Sequence, residues 1–188
     1  MGIFDNLFKT ILKRIINDKS YKSQFLQYHH LSSCKVPCDD CPERDNRIYE
    51  NGFHIRLPAH PNCDCIYTEV KTLAVGTISK KGLESPDVYL KLYGHLPDYY
   101  ITKEEAVKVY GWKRGKNTIA GKAPGKMIGG IPYYNNKSKL PVKAGRLWYE
   151  CDVDYESGGR SSLRLFYSND GLMFFSPDHG EKIFYLVK

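Results

Sequence analysis

The chain of 188 residues is short of several things, and each shortage removes a class of protein. No uninterrupted apolar run is long enough to cross a bilayer, which excludes a transmembrane helix. The first twenty residues, MGIFDNLFKTILKRIINDKS, lack the continuous apolar stretch and small-residue cleavage site of a signal peptide. Asn6 stands where a myristoylation signal wants Ser or Thr. A cytoplasmic protein, or one exported by a specialised route, is therefore expected. There is no internal repeat and no low-complexity segment. Acidic residues are outnumbered, 21 against 28 Lys and Arg, giving a formal net charge of +7. The excess is spread over both halves and favours polyanionic partners, nucleic acid first. Cysteine is nearly absent outside one segment: five of the six lie between Cys34 and Cys65, and Cys151 stands alone.

What is present divides near residues 76–84. Residues 1–82 read as a helical, cysteine-rich module. Ile3, Leu7, Phe8, Ile11, Leu12, Ile15 and Ile16 fall at helical spacing, and a second short helix is expected over about Tyr21–His30. The cysteine segment runs C-x3-C-x2-C and then H-x2-C-x-C. Thiolates and imidazole bind zinc tetrahedrally, and two close pairs separated by a loop are a usual structural arrangement. Cys38 and Cys41 form one candidate pair; the other comes from His60, Cys63 and Cys65, with Cys63 and Cys65 the expected ligands. A structural Zn2+ would supply folding energy to a segment with little core. Disulfides and unmodified thiols are the alternatives.

From residue 83 the pattern changes. SPDVYLKLYG offers a cap at Ser85, Pro at the first helical position and a Gly stop. ITKEEAVKVYG has Thr102 and Glu105 as a capping box. The Gly-, Pro- and Asn-rich residues 117–141 read as loop. Strands follow near 146–155, 162–168, 171–176 and 182–187, separated by hairpin chemistry. Helices first and strands after predict an α+β domain with an antiparallel meander.

Strand alternation puts Trp148, Glu150, Asp152 and Asp154 on one face, and Arg160, Ser162, Arg164 and Phe166 share parity on the next strand. A carboxylate, two guanidiniums and a nearby imidazole suit phosphodiester cleavage. The carboxylate takes a proton from an RNA 2′-hydroxyl, the arginines hold the phosphate, and His179 protonates the leaving oxygen. Ordinary sheet salt bridges with a surface histidine would produce the same residue list, and the register between strands is open.

Several blocks go further: LPDYYITKEEA, GW, APGKMIGG, KLP, GRLWYECDVDY, SGGRSSLRLFYS and PDHG. In this order and spacing, residues 84–188 resemble the barnase-like small microbial ribonucleases. The resemblance implies helices packed on an antiparallel sheet. It also implies endonucleolytic, metal-independent cleavage of single-stranded RNA through a 2′,3′-cyclic phosphate. On it, Glu150 matches the general base and His179 the general acid. Arg160 and Arg164 match the phosphate-binding arginines, and Lys103 a transition-state lysine. Arg146 and Asp170 match a structural pair. The family's guanine-recognition loop ends in Arg-Glu; Asn136 and Lys137 stand there in this chain, and Gly180 replaces the aromatic after the histidine. Tyr133, Tyr134, Asn135 and Asn136 are the candidates to hold a base, with Tyr133 and Tyr134 either stacking on it or only packing the loop.

The stretches CDDC and HPNCDC also resemble the end of phage minor-head morphogenesis proteins, modules known fused to toxin domains. The two resemblances together imply a carrier and a toxic ribonuclease, restrained in its producer by a barstar-like or other acidic immunity protein. The competing expectation is a non-catalytic zinc-containing nucleic-acid-binding or phage-head module.

Overall fold

The computed structural model describes residues 25–29, 48–50, 56–61, 63, 65–154 and 160–187. The expected helix over residues 3–16 lies outside them.

Three strands form a first sheet in the order β2-β1-β3: β1 (Phe25–His29), β2 (Ile48–Glu50) and β3 (Ile66–Val70). The sequence predicts a helix over Tyr21–His30, and residues 25–29 are instead the central strand, antiparallel to both neighbours. Ladder bonds on both sides, from segments some twenty and forty residues downstream, override a weak local helical preference.

The second sheet has six strands in the order β4-β11-β10-β9-β8-β7. They are β4 (Thr72–Ala74), β7 (Ile131–Tyr133), β8 (Trp148–Asp152), β9 (Arg164–Ser168), β10 (Met173–Ser176) and β11 (Phe184–Val187). From β7 to β11 each strand pairs antiparallel with the next, the meander expected from the turn signals. β4 adds to the far edge, parallel to β11, with Leu73 opposite Leu186. Residues upstream of the linker thus complete the sheet of the downstream half. At the other edge, Pro132 in β7 fits a position where a missing N–H costs no ladder bond.

Helix α1 (Pro86–Tyr93) ends at Gly94 in the left-handed conformation, φ 77°. The Ser85 side chain makes no cap bond to a helix N–H; its hydroxyl donates to the buried Asp87, whose other oxygen accepts from the Gly76 N–H at 2.7 Å. Helix α2 (Lys103–Lys108) carries the predicted cap, Thr102 Oγ1 accepting from Glu105 N at 3.1 Å. Residues 117–141, read from sequence as loop, contain a four-residue helix α3 (Ile119–Lys122) and strands β6 (Met127–Ile128) and β7. β6 pairs parallel with β5 (Tyr100–Ile101). Their apolar residues, with Trp112 and Ala106, form one core cluster. The main core lies on one face of the large sheet around Cys151, Val153, Leu165, Phe175 and Leu186. A smaller cluster, Leu140, Trp148, Phe166 and Phe174, covers the other face. Helices and sheet are thus combined as an α+β arrangement.

Gly129 lies where these layers meet. A Cβ there would fall 2.8 Å from Cys151 Cβ and 2.9 Å from Leu96 Cδ1, and closer still to the Tyr100 ring. Gly129→Ala is expected to destabilise the domain by about 1–3 kcal/mol through overpacking, read as a lowered midpoint in thermal or urea unfolding. An unchanged midpoint would show that this packing is looser than described.

Candidate active site

Strand β8 is central to the site because its two faces differ. Cys151 points into the main core, where burial pushes its thiol pKa far above the ordinary range. Glu150, one residue earlier, lines a cleft of about 690 Å3 on the opposite face. Register sets its neighbours: Glu150 stands opposite Phe166 on β9, and Asp152 opposite Arg164. Arg164 is therefore diagonal to Glu150 and directly across from Asp152.

Asp152 is 1% exposed and collects both guanidiniums. Arg160 meets it in bidentate fashion, Nε to Oδ2 and Nη2 to Oδ1, each at 2.7 Å. Arg164 Nη1 lies 3.1 Å from Oδ1 and also donates to the carbonyls of Ser161 and Leu163 at 2.6 and 2.7 Å. Burial lowers the Arg164 pKa and the neighbouring Arg160 charge adds to that, while Asp152 opposes it. Breaking such a pair from one side leaves a buried charge uncompensated, at a cost of about 3–5 kcal/mol. Lys103, at the start of α2, brings Nζ to 4.0 Å from Glu150 Oε1.

His179 lines the same cleft from the β10–β11 turn. Its backbone is left-handed, φ 58°, and its N–H donates to Ser162 O at 3.0 Å. The turn is built around the buried Ser176, whose Oγ accepts from Gly180 N at 2.7 Å and donates to Asp178 Oδ1 at 3.1 Å. Lys139 ties it to the β7–β8 loop by donating to Gly180 O at 2.8 Å and pairing with Glu181 at 3.0 Å. The side chain of His179 is left exposed while its backbone is held from three sides.

The four residues named for base binding separate. Tyr133 lines the cleft with its ring 4.6 Å from Phe166; burial raises its phenol pKa, and Lys139 offsets part of that. Tyr134, Asn135 and Asn136 line a neighbouring cavity of about 550 Å3, which Tyr133 also borders. Tyr134 is 83% exposed. The amide of Asn135 braces the loop, accepting from Leu140 N at 3.0 Å and donating to Leu140 O at 2.8 Å. Sequence reasoning passed over Asp152, though parity already placed it beside Glu150; only register shows that it faces Arg164. It also passed over the 113–117 loop, whose Arg114, Lys116 and Asn117 line the cleft.

Of the candidate metal ligands, Cys38 and Cys41 lie outside the described residues. Cys65 is buried, with Tyr49, Leu57, Cys63 and Tyr67 packed around it. Among the described residues no three or more His, Cys, Asp or Glu are grouped to hold a metal ion, and no helix is long and apolar enough to cross a membrane.

The fold and cleft define an α+β domain with a cationic cleft holding one carboxylate and one imidazole. No family model matches the chain. Over 91 residues in its C-terminal half it is 46% identical to a ribonuclease of Heyndrickxia coagulans, covering 48% of this chain and 83% of that protein. It is also 46% identical over 91 residues to ribonucleases of Bacillus intermedius and Bacillus pumilus, of whose lengths it spans 56%. The chain belongs to this ribonuclease family.

Away from the cleft, Arg146 and Asp170 form the pair the resemblance implies, Nε and Nη2 reaching Asp170 Oδ2 at 3.0 and 2.7 Å. Burial raises the Asp170 pKa, but hydrogen bonds from Arg146 and Ser168 and the Arg146 charge outweigh it, leaving the carboxyl below its ordinary value. A depressed folded pKa contributes stability that is present above the unfolded value, about 3.9, and is lost as pH falls through the folded one. Asp170→Asn should therefore narrow the stability difference between pH 6 and pH 3, measured by urea unfolding. An identical pH dependence in both proteins would remove Asp170 from the acid limb.

Proposed function

We propose that the chain is an endoribonuclease that cleaves single-stranded RNA by attack of the 2′-hydroxyl on its own phosphate, through a 2′,3′-cyclic phosphate. The observation that carries this reading is that Glu150, His179, Arg160 and Arg164 all line one cleft. Glu150 accepts the 2′-hydroxyl proton. Lys103 Nζ lies 4.0 Å from its Oε1. Arg160 and Arg164, pre-oriented by Asp152, present guanidinium edges to the non-bridging oxygens and stabilise the charge that accumulates as the new P–O bond forms. His179 gives its proton to the departing 5′-oxygen, and in the second step the two groups exchange roles as water opens the cyclic phosphate. Acid, base and electrostatic stabilisation all come from side chains, so no step calls for a metal. Tyr133 offers a face on which a base can stack.

Glu150→Gln and His179→Ala are each expected to lower kcat/KM on single-stranded RNA by roughly a hundredfold to ten-thousandfold, with the wild type active in EDTA and bell-shaped in pH. The cyclic-phosphate product is identified by mass spectrometry. Full activity in either variant, or loss of wild-type activity in EDTA, would sink the reading.

The biological setting we propose is a toxin restrained by an acidic immunity protein. The cleft's lining, with four Lys and Arg side chains and His179 against the single carboxylate of Glu150, suits such a partner. Induction of the wild-type chain should arrest bacterial growth while Glu150→Gln does not, and equal growth would count against the toxin role.

We also propose that residues 1–82 form a carrier module stabilised by a structural zinc on Cys38, Cys41, Cys63 and Cys65. Cys63 and Cys65 present two thiols one residue apart on the segment leading into β3, a donor chemistry that fits zinc. About one zinc per chain is expected by elemental analysis of the purified protein, lost in Cys63→Ser; a metal-free wild type would exclude it.

A further inference from the structure

Beyond Asp152, the end of β8 continues through Val153 to Asp154. Val153 is fully buried; its N–H donates to Leu163 O at 3.3 Å, and its carbonyl accepts from Ser161 Oγ at 2.8 Å. Ser161 O in turn accepts from Arg164 Nη1 at 2.6 Å. Asp154 has a left-handed backbone, φ 48°, a conformation that persists in a residue with a side chain only where the surroundings impose it.

Those surroundings come from far upstream. Ser79 Oγ donates to Asp154 Oδ1 at 2.7 Å, and the Lys80 N–H reaches Oδ2 at 3.2 Å. Ser79 Oγ also accepts from Lys81 N at 3.2 Å, which directs its own proton to the carboxylate. The segment carrying Ser79 is itself immobilised. Leu73 in β4 stands opposite Leu186, Gly76 N donates to Asp87 Oδ2 at 2.7 Å, and Ile78 is wholly buried in the main core. Ser79 and Lys80 precede residue 84, where the ribonuclease resemblance begins. A segment fixed this often is more than a tether, and the group it grips lies two residues from the carboxylate that holds both guanidiniums.

We infer that Ser79 and Asp154 are positioning residues for the cleavage step: their clasp fixes the end of β8 and, through it, the alignment of Arg160 and Arg164 on Asp152. This rests on the ribonuclease reading and makes the upstream segment a determinant of its rate. Neither residue is among those lining the cleft, so the clasp acts on the arginines and not on RNA. Guanidiniums aligned for the charge that develops as the new P–O bond forms act more on the transition state than on the bound substrate. Loosening them therefore lowers kcat and leaves KM nearly unchanged.

The test uses the full chain with three substitutions. Ser79→Ala removes the donor. Asp154→Gly removes the acceptor while permitting the left-handed backbone. Asp154→Asn tolerates the same backbone and keeps one oxygen to accept from Ser79. On single-stranded RNA, Ser79→Ala and Asp154→Gly should each lower kcat about tenfold with KM changed less than about twofold, while Asp154→Asn stays within about threefold of the wild-type kcat. Ser79→Ala/Asp154→Gly should be no slower than Asp154→Gly alone, since the donor has nothing left to grip. Solvent exchange of the Arg160 Nε–H, assigned by its loss in Arg160→Lys and followed by nitrogen-15 NMR without substrate, should quicken about tenfold in Ser79→Ala and Asp154→Gly. An unchanged kcat, or a fall in Asp154→Asn as large as in Asp154→Gly, would overturn the clasp. So would a lowered urea midpoint with the Arg160 exchange rate unmoved, which would make the contact one of stability alone. A wild type that cuts no RNA would instead overturn the ribonuclease reading, and the exchange rates would still decide the clasp.

Discussion

The buried carboxylate of Asp152 determines where two guanidiniums can be. An ion this deeply enclosed is expensive to desolvate, and the cost is offset only because Arg160 meets it with two 2.7 Å bonds and Arg164 with a third contact. Neither arginine is then at liberty to swing into solvent. Arg164 spends part of its fork on the carbonyls of Ser161 and Leu163, so Arg160, a quarter exposed, is the more available of the two. Preorganisation of this kind is how a site stabilises developing charge without moving at the moment of reaction.

The same strand end is fastened from the other direction by residues far upstream. Asp154 accepts from Ser79 Oγ at 2.7 Å and from the Lys80 N–H at 3.2 Å, and β4 pairs with β11 just before them. Tyr100 OH donates to Asp152 O at 2.6 Å. The segment between the two halves is thereby part of the scaffold that holds the arginines. The ribonuclease sheet takes its last strand from residues that composition alone assigns to the other module.

Two loops line the cleft with different constraints. The His179 turn is bound by Ser176, Ser162 and Lys139, which hold the backbone and leave the imbidazole-bearing side chain at the surface. The 113–117 loop is bound by Asn117 and leaves two cations at the surface. In both, several backbone N–H groups bond within the loop or to its flanks, and the exposed side chains are left at the surface. Gly180, whose added Cβ would sit 3.5 Å from Phe166, leaves open the space beside the histidine.

Local chemistry was readable from the sequence alone. Proline, threonine and glycine signals located α1 and α2, hairpin residues located the strands of the meander, and alternation sorted Glu150 and Asp152 onto one face and Cys151 onto the other. Those features depend on residues within a few positions of each other. The strand at Phe25–His29, the short elements within residues 117–141 and the parallel addition of β4 were not readable, because each is stabilised by partners distant in the chain. Register belongs with them: a period of two states which residues share a face and says nothing of what lies across the ladder. The sequence by itself thus determined Glu150, His179 and the two arginines as a list of candidates. Only the tertiary structure decided that Asp152 rather than Glu150 anchors the arginines, and that Arg114 and Lys116 share their cleft, since pairing across strands and loops is settled by packing over the whole domain.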